Sequence, residues 1–127
     1  MGKTILIIED EAALQKTFED ALSKEGFEVL HALDGEIGIQ IAQEKHPDLI
    51  MLDLVLPRKD GFQVLEALKK AEQTKNIPVI VLTNREELDD IQRAIDLGAT
   101  TYLIKSSYRL DEIIKKVKEG LDGSAEQ

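Results

Sequence analysis

At 127 residues and a formal charge of −9, the chain has the size of one domain and lacks the basic block that captures nucleic acid or anionic membrane, which points to a protein partner. The absence of Cys excludes a disulfide framework, a thiolate metal site and a cysteine nucleophile; nothing argues for an oxidising compartment, and a cytoplasmic address fits. Met1 to Thr4 is too short and polar for a signal peptide, no apolar run approaches the roughly 20 residues of a membrane span, and 43% hydrophobic with 4% aromatic residues predicts an aliphatic core in a soluble protein.

Ile5 to Ile8 forms a continuous apolar block near the start of the sequence, the pattern of a parallel strand covered on both faces, and it ends abruptly in Glu9, Asp10 and Glu11. Leu14, Phe18, Ala21 and Leu22 then recur at helical spacing within Ala12 to Glu25, and Gly26 supplies the stop. Glu28 to Ala32 reads as a second strand and Gly35 to Glu44 as a helix ended by Pro47. A third strand, Leu49 to Asp53, leads through a loop holding Pro57 and Gly61 to a helix from Phe62 to about Ala71, with Leu65 and Leu68 on one face. The fourth unit is a strand from Val79 to Thr83 and a helix near Glu86 to Leu97, apolar at Leu88, Ile91 and Ile95 and stopped by Gly98. The fifth is a strand from Thr101 to Ile104 and the amphipathic stripe Leu110, Ile113, Ile114, Val117 and Leu121.

Alternation of strands and helices implies right-handed crossovers and a doubly wound α/β fold of flavodoxin-like (βα)5 type, a five-stranded parallel sheet with helices on both faces. A closed eight-unit barrel needs a longer chain. In an open parallel sheet the functional crevice lies at the carboxyl ends of the strands, where strand order reverses. Those ends carry Glu9 and Asp10, Asp53, Thr83 and Lys105. Clustered carboxylates are the hard oxygen ligands that suit Mg²⁺ (or Mn²⁺), and the ion makes their mutual repulsion useful. Phosphoryl transfer needs a nucleophile, a metal and donors for the phosphoryl oxygens; Asp53, the acid pair, and Thr83 with Lys105 fill these roles, and an ionised carboxylate needs no general base.

From "ILIIEDE" through "PDLIMLDLVLPRKDGFQVL" and "IPVIVLTN" to "GATTYLIK", the chain resembles the receiver domain of two-component response regulators over nearly its whole length. The resemblance implies a receiver at 1–121, with 122–127 as a tail or the start of a linker, either free-standing or cut from a longer chain. It implies that Asp53 takes phosphate from a sensor histidine kinase or histidine phosphotransfer protein. Asp10, Asp53 and the backbone carbonyl of Val55 would bind Mg²⁺, with Glu9 acting directly or through water. Thr83 and Tyr102 would move as the switch, Lys105 would pair with the phosphate, and the face of the fourth helix, fifth strand and fifth helix would then change its affinity for a downstream protein target or output domain. Such a domain is a signalling module that catalyses only its own phosphoryl transfer and slow dephosphorylation, with no direct role for nucleic acid or membrane.

Plainer readings stand beside these. Asp10 or Glu11 alone reads as a helix cap, Asp53 as the start of a turn, Thr83 as a β-branched strand residue, Lys105 as an exposed charge and Tyr102 as a fixed core aromatic. His31 and His46 fall outside the rim. The chain departs from the family in Glu9 for the commoner Asp, in Asn84 after Thr83, and in Ser106 for the proline that usually follows a cis bond, so Lys105–Ser106 is either trans with a rearranged loop or strained. Arg85 and Val55 flank the path of a hydrolytic water. A flavin or nucleotide carrier is disfavoured by an acidic first turn without glycine, an aspartyl phosphatase by Val55 in place of a second acid, and a degenerate receiver acting as a constitutive docking module by the intact Asp53, Thr83 and Lys105.

Overall fold

The structure, a computed structural model, describes residues 2–122. Five strands, β1 (Thr4–Ile8), β2 (Glu28–Ala32), β3 (Leu49–Leu52), β4 (Val79–Thr83) and β5 (Thr101–Ile104), alternate with α1 (Ala12–Lys24), α2 (Gly35–Lys45), α3 (Gly61–Lys70), α4 (Leu88–Asp96) and α5 (Leu110–Asp122). All pairings are parallel and the order is β2-β1-β3-β4-β5, so the chain reverses direction across the sheet between β1 and β3. The expected sheet is therefore present. Of the segment expected to form a tail, Asp122 closes α5 and the rest lies outside the described residues. No helix among the described residues is long and apolar enough to cross a membrane.

The unbroken apolar strands are explained by two cores, one on each face. Successive side chains on a strand point to opposite faces, and Ile5 and Ile7 join Phe18, Leu22, Ile113 and Val117 on one side, while Leu6 and Ile8 join Phe62, Leu65, Leu68 and Ala94 on the other. β3 divides in the same way, Leu49 and Met51 against Ile50 and Leu52. Each fully buried side chain of this size contributes about 1.5–3 kcal/mol, which fixes the register that brings the strand ends level.

Helix ends follow the local chemistry. Gly26 (φ 93°) and Gly98 (φ 111°) adopt the left-handed backbone that glycine tolerates and close α1 and α4. α3 begins with a capping box: Asp60 accepts from Phe62 N at 2.7 Å, and Asp60 N donates to Gln63 Oε1 at 3.1 Å. The cap reading of the first acids finds no side-chain bond, since Glu11 occupies the N-cap position of α1 without one and Asp10 is exposed.

The fourth helix differs from expectation. It spans Leu88–Asp96, shorter at both ends than Glu86 to Leu97, and its apolar stripe is rotated. Leu88 is 82% and Ile95 44% exposed, while Ala94 is buried and Asp90, Ile91 and Leu97 are half-buried. The small Ala94 sets the contact line with the sheet, so the larger aliphatics flanking it are left facing outward. β3 also stops one residue short of Asp53, and a single 3₁₀ turn, Lys105–Ser107, intervenes before α5.

Candidate functional site

Because β1, β3 and β4 end together, the residues that follow them share one rim. Asp53 is the first residue after β3; its N–H donates to Ile8 O at 3.0 Å and its side chain is buried. Its Oδ1 accepts from Val55 N at 3.2 Å and its Oδ2 from Lys105 Nζ at 2.9 Å. Glu9, also buried, is fixed at both ends: its N–H donates to Ala32 O at 3.0 Å, Oε2 accepts from Glu11 N at 3.0 Å, and Oε1 accepts from Lys105 Nζ at 2.6 Å. Lys105 thus bridges the two buried carboxylates. The carboxylate oxygens of Glu9, Asp10 and Asp53 can all lie within 4.8 Å of one another. That hard, oxygen-only donor set fits a divalent ion of the Mg²⁺ type, and the Lys105 ammonium already supplies part of the positive charge these acids require.

The electrostatics follow from two acids competing for one base. Burial pushes the Glu9 carboxyl above its ordinary value, and repulsion from Asp53 adds to this against the hydrogen bonds from Lys105 and Glu11 N–H. Burial opposes the charge on Lys105, but the hydrogen bonds with Glu9 and Asp53 outweigh it and hold the ammonium above its ordinary value.

Thr83, fully buried at the end of β4, accepts from Arg85 N at 3.5 Å within its own loop. Tyr102 lies beside Val81 in the register of β5 and is half-buried against the core, with its hydroxyl donating to Arg85 O at 3.0 Å. Burial and the nearby Asp90 raise its phenol above the ordinary value. Arg85 is further held by Asp90 at 3.6 Å and sits 5.6 Å from the Phe62 ring centroid, which Arg93 covers more closely at 4.2 Å.

The structure therefore brings Glu9, Asp10, Asp53 and Lys105 into direct contact range, and places Thr83 and Tyr102 around the adjoining β4–α4 loop rather than on the carboxylates. Val55 is 54% exposed beside the site. Lys105–Ser106 is trans, since no cis peptide occurs among the described residues, and Lys105 reaches both acids from the 3₁₀ turn. His31 and His46 are exposed, and His46 caps α2 away from the acids. Two features escaped the sequence reading. Gln15 is buried within the helical stripe of Phe18 and Leu22, where a polar residue in an apolar row was the available signal. Arg58 adopts φ 68° and reaches Asp34 at 3.7 Å, for which the sequence offers no signal. A groove of about 280 Å³ opens beside the site, with Glu11, Leu14, Phe18, Asn84, Lys105 and Tyr108 among its walls.

Residues 5–118 match the family model for the response regulator receiver domain. The chain belongs to the response regulator receiver family. It is 40% identical over 114 residues to the DNA-binding dual master transcriptional regulator RpaA of Synechocystis, covering 90% of this chain and 47% of that protein. It is 35% identical to sporulation initiation phosphotransferase F of Bacillus subtilis, with 95% of each chain covered. The receiver domain of sensor histidine kinase PA1611 from Pseudomonas aeruginosa, solved with a magnesium ion coordinated in its active site cleft, superposes with a TM-score of 0.86 at 25% identity, covering 96% of this chain and 99% of that one. The chain spans about half the length of several curated relatives it matches, RpaA among them.

Proposed function

We propose that this receiver takes a phosphoryl group onto Asp53 with Mg²⁺, from a sensor histidine kinase or a histidine phosphotransfer protein, and so switches a protein-binding surface. The observation that carries the reading is the buried Asp53 carboxylate joined to Glu9 through Lys105, with Asp10 in ligand range. An oxygen of Asp53 forms the new P–O bond as the P–N bond of the phosphohistidine breaks, and the imidazole leaves with its electron pair. Glu9, Asp10, Asp53 and the Val55 carbonyl would hold Mg²⁺, which neutralises charge on the transferring phosphoryl oxygens. Lys105 exchanges its carboxylate contact for the phosphate, and Thr83 supplies a hydroxyl donor from the next strand. The groove between α1 and the β5–α5 turn, walled by Leu14, Phe18 and Tyr108, leaves room for a donor protein beside Lys105.

A phosphate adds up to about two negative charges and three acceptor oxygens. Thr83 and Tyr102 both bond to Arg85, so a shift of Thr83 toward the phosphate reorganises the β4–α4 loop and with it the face of α4, β5 and α5. Leu88 and Ile95, exposed on α4, give that face an apolar contact surface for a downstream protein or output domain in the cytoplasm. Intact mass after incubation with acetyl phosphate tests the reading. One labile phosphate that does not form when Mg²⁺ is chelated beforehand, or in Asp53→Asn, is the expected result; its formation in Asp53→Asn would overturn the assignment.

A further inference from the structure

Glu9 is anchored by its N–H and by both carboxylate oxygens, and its own carbonyl is held from the opposite direction. The Gln15 side chain, 4% exposed, donates from Nε2 to Ile7 O at 3.1 Å, Glu9 O at 3.1 Å and Ala32 O at 2.8 Å. One amide thus ties the end of β1 to the end of β2 across the turn that carries the acids. The same residue leaves Oε1 buried with no partner among the described residues. An unsatisfied buried acceptor is costly, so Gln15 is a poor choice for packing alone and a good one for presenting two N–H donors to a cluster of carbonyls.

We infer that Gln15 is a positioning residue for the metal site, fixing the backbone of Glu9 so that the Glu9 and Asp10 carboxylates converge on Asp53. This inference rests on the Mg²⁺-dependent reading above. The two oxygen ligands on the β1 turn must keep their geometry while Lys105 changes partners, and Gln15 is the side chain that holds the Glu9 carbonyl without involving the carboxylates or Lys105, alongside the backbone bond from Glu9 N–H to Ala32 O. Residues that orient ligands from behind in this way commonly shift metal affinity by about 10–100-fold when removed.

Calorimetric titration of Mg²⁺ into the wild type, Gln15→Met, Val117→Ala and Asp53→Asn separates the possibilities. Val117→Ala is a core truncation on α5 remote from the acids, and it controls for lost stability. Gln15→Met binding Mg²⁺ about tenfold more weakly than wild type, with Val117→Ala unchanged, is the expected result. Wild-type affinity in folded Gln15→Met would overturn the positioning role and leave the phosphoacceptor reading intact. Wild-type binding that Asp53→Asn does not weaken would overturn both. Should Gln15→Met not fold, the side-chain amide of Gln15 in ¹⁵N-labelled wild type provides the readout: a shift saturating with the calorimetric midpoint supports the inference, and an unmoved resonance refutes it.

Discussion

Replacing Lys105 by Met keeps most of the apolar stem and removes the ammonium from between two carboxylates that are only 3% and 7% exposed, those of Glu9 and Asp53. The lost contacts are 2.6 and 2.9 Å long, with the Lys105 side chain itself 15% exposed. Breaking a buried ion pair from one side costs about 3–5 kcal/mol; solvent reaching the site through the exposed Asp10 places the expected loss near 3 kcal/mol. The same change should help a metal. A unit charge and a divalent ion about 4 Å apart repel by about 2–8 kcal/mol between water-like and part-buried conditions, twice the figure for two unit charges, so removing the ammonium should tighten Mg²⁺ binding at least about tenfold. Urea unfolding of wild type and Lys105→Met, without Mg²⁺ and across a Mg²⁺ titration, measures both effects. The variant should be less stable without the ion and recover more stability from it. A variant as stable as wild type without Mg²⁺, or one that binds the ion more weakly, would refute the view that Lys105 and the metal share these oxygens.

Gly61→Ala should lower stability by about 1–3 kcal/mol in urea unfolding, because a Cβ there would sit 2.6 Å from Asp53 O and against the Leu54 backbone; a neutral result would mean the β3–α3 loop yields easily. In Tyr108→Phe the phenolate absorbance reports Tyr102 alone, since the chain has two Tyr, and its midpoint should lie above 10.0. The neutral phenol is favoured by the fold, so this contribution to stability is complete below pH 10.0 and is lost as pH rises through the raised native value. Leu88→Ser should leave stability within about 0.5 kcal/mol, because the side chain is 82% exposed, while weakening capture of a downstream partner by the phosphorylated protein.

The sheet was legible because β1, β3 and β4 are buried on both faces, so their sequences carry uninterrupted aliphatic runs that few other structures need. The candidate site was legible for a related reason: the ends of β1, β3 and β5 carry acids and a lysine that converge once the strands are parallel, with the Thr83 hydroxyl at the neighbouring end of β4. What the pattern did not carry was contact geometry. On α4 the hydropathy of Leu88, Ile91 and Ile95 marked one stripe, but packing is decided by how closely the helix backbone approaches the sheet, and Ala94 wins that contact. Gln15 was overlooked because its value lies in three carbonyls contributed by β1, β2 and the acid turn, which meet only in the folded chain. Arg58 likewise acquires its meaning from Asp34, on a different loop.

The most direct test is to locate the phosphate. Protein incubated with acetyl phosphate and Mg²⁺ is reduced with borohydride, which converts an aspartyl phosphate to homoserine, and its peptides are mapped by mass spectrometry. Modification confined to Asp53 and dependent on Mg²⁺ is the predicted result; modification at Glu9 or Asp10, or at Asp53 irrespective of Mg²⁺, would contradict the account.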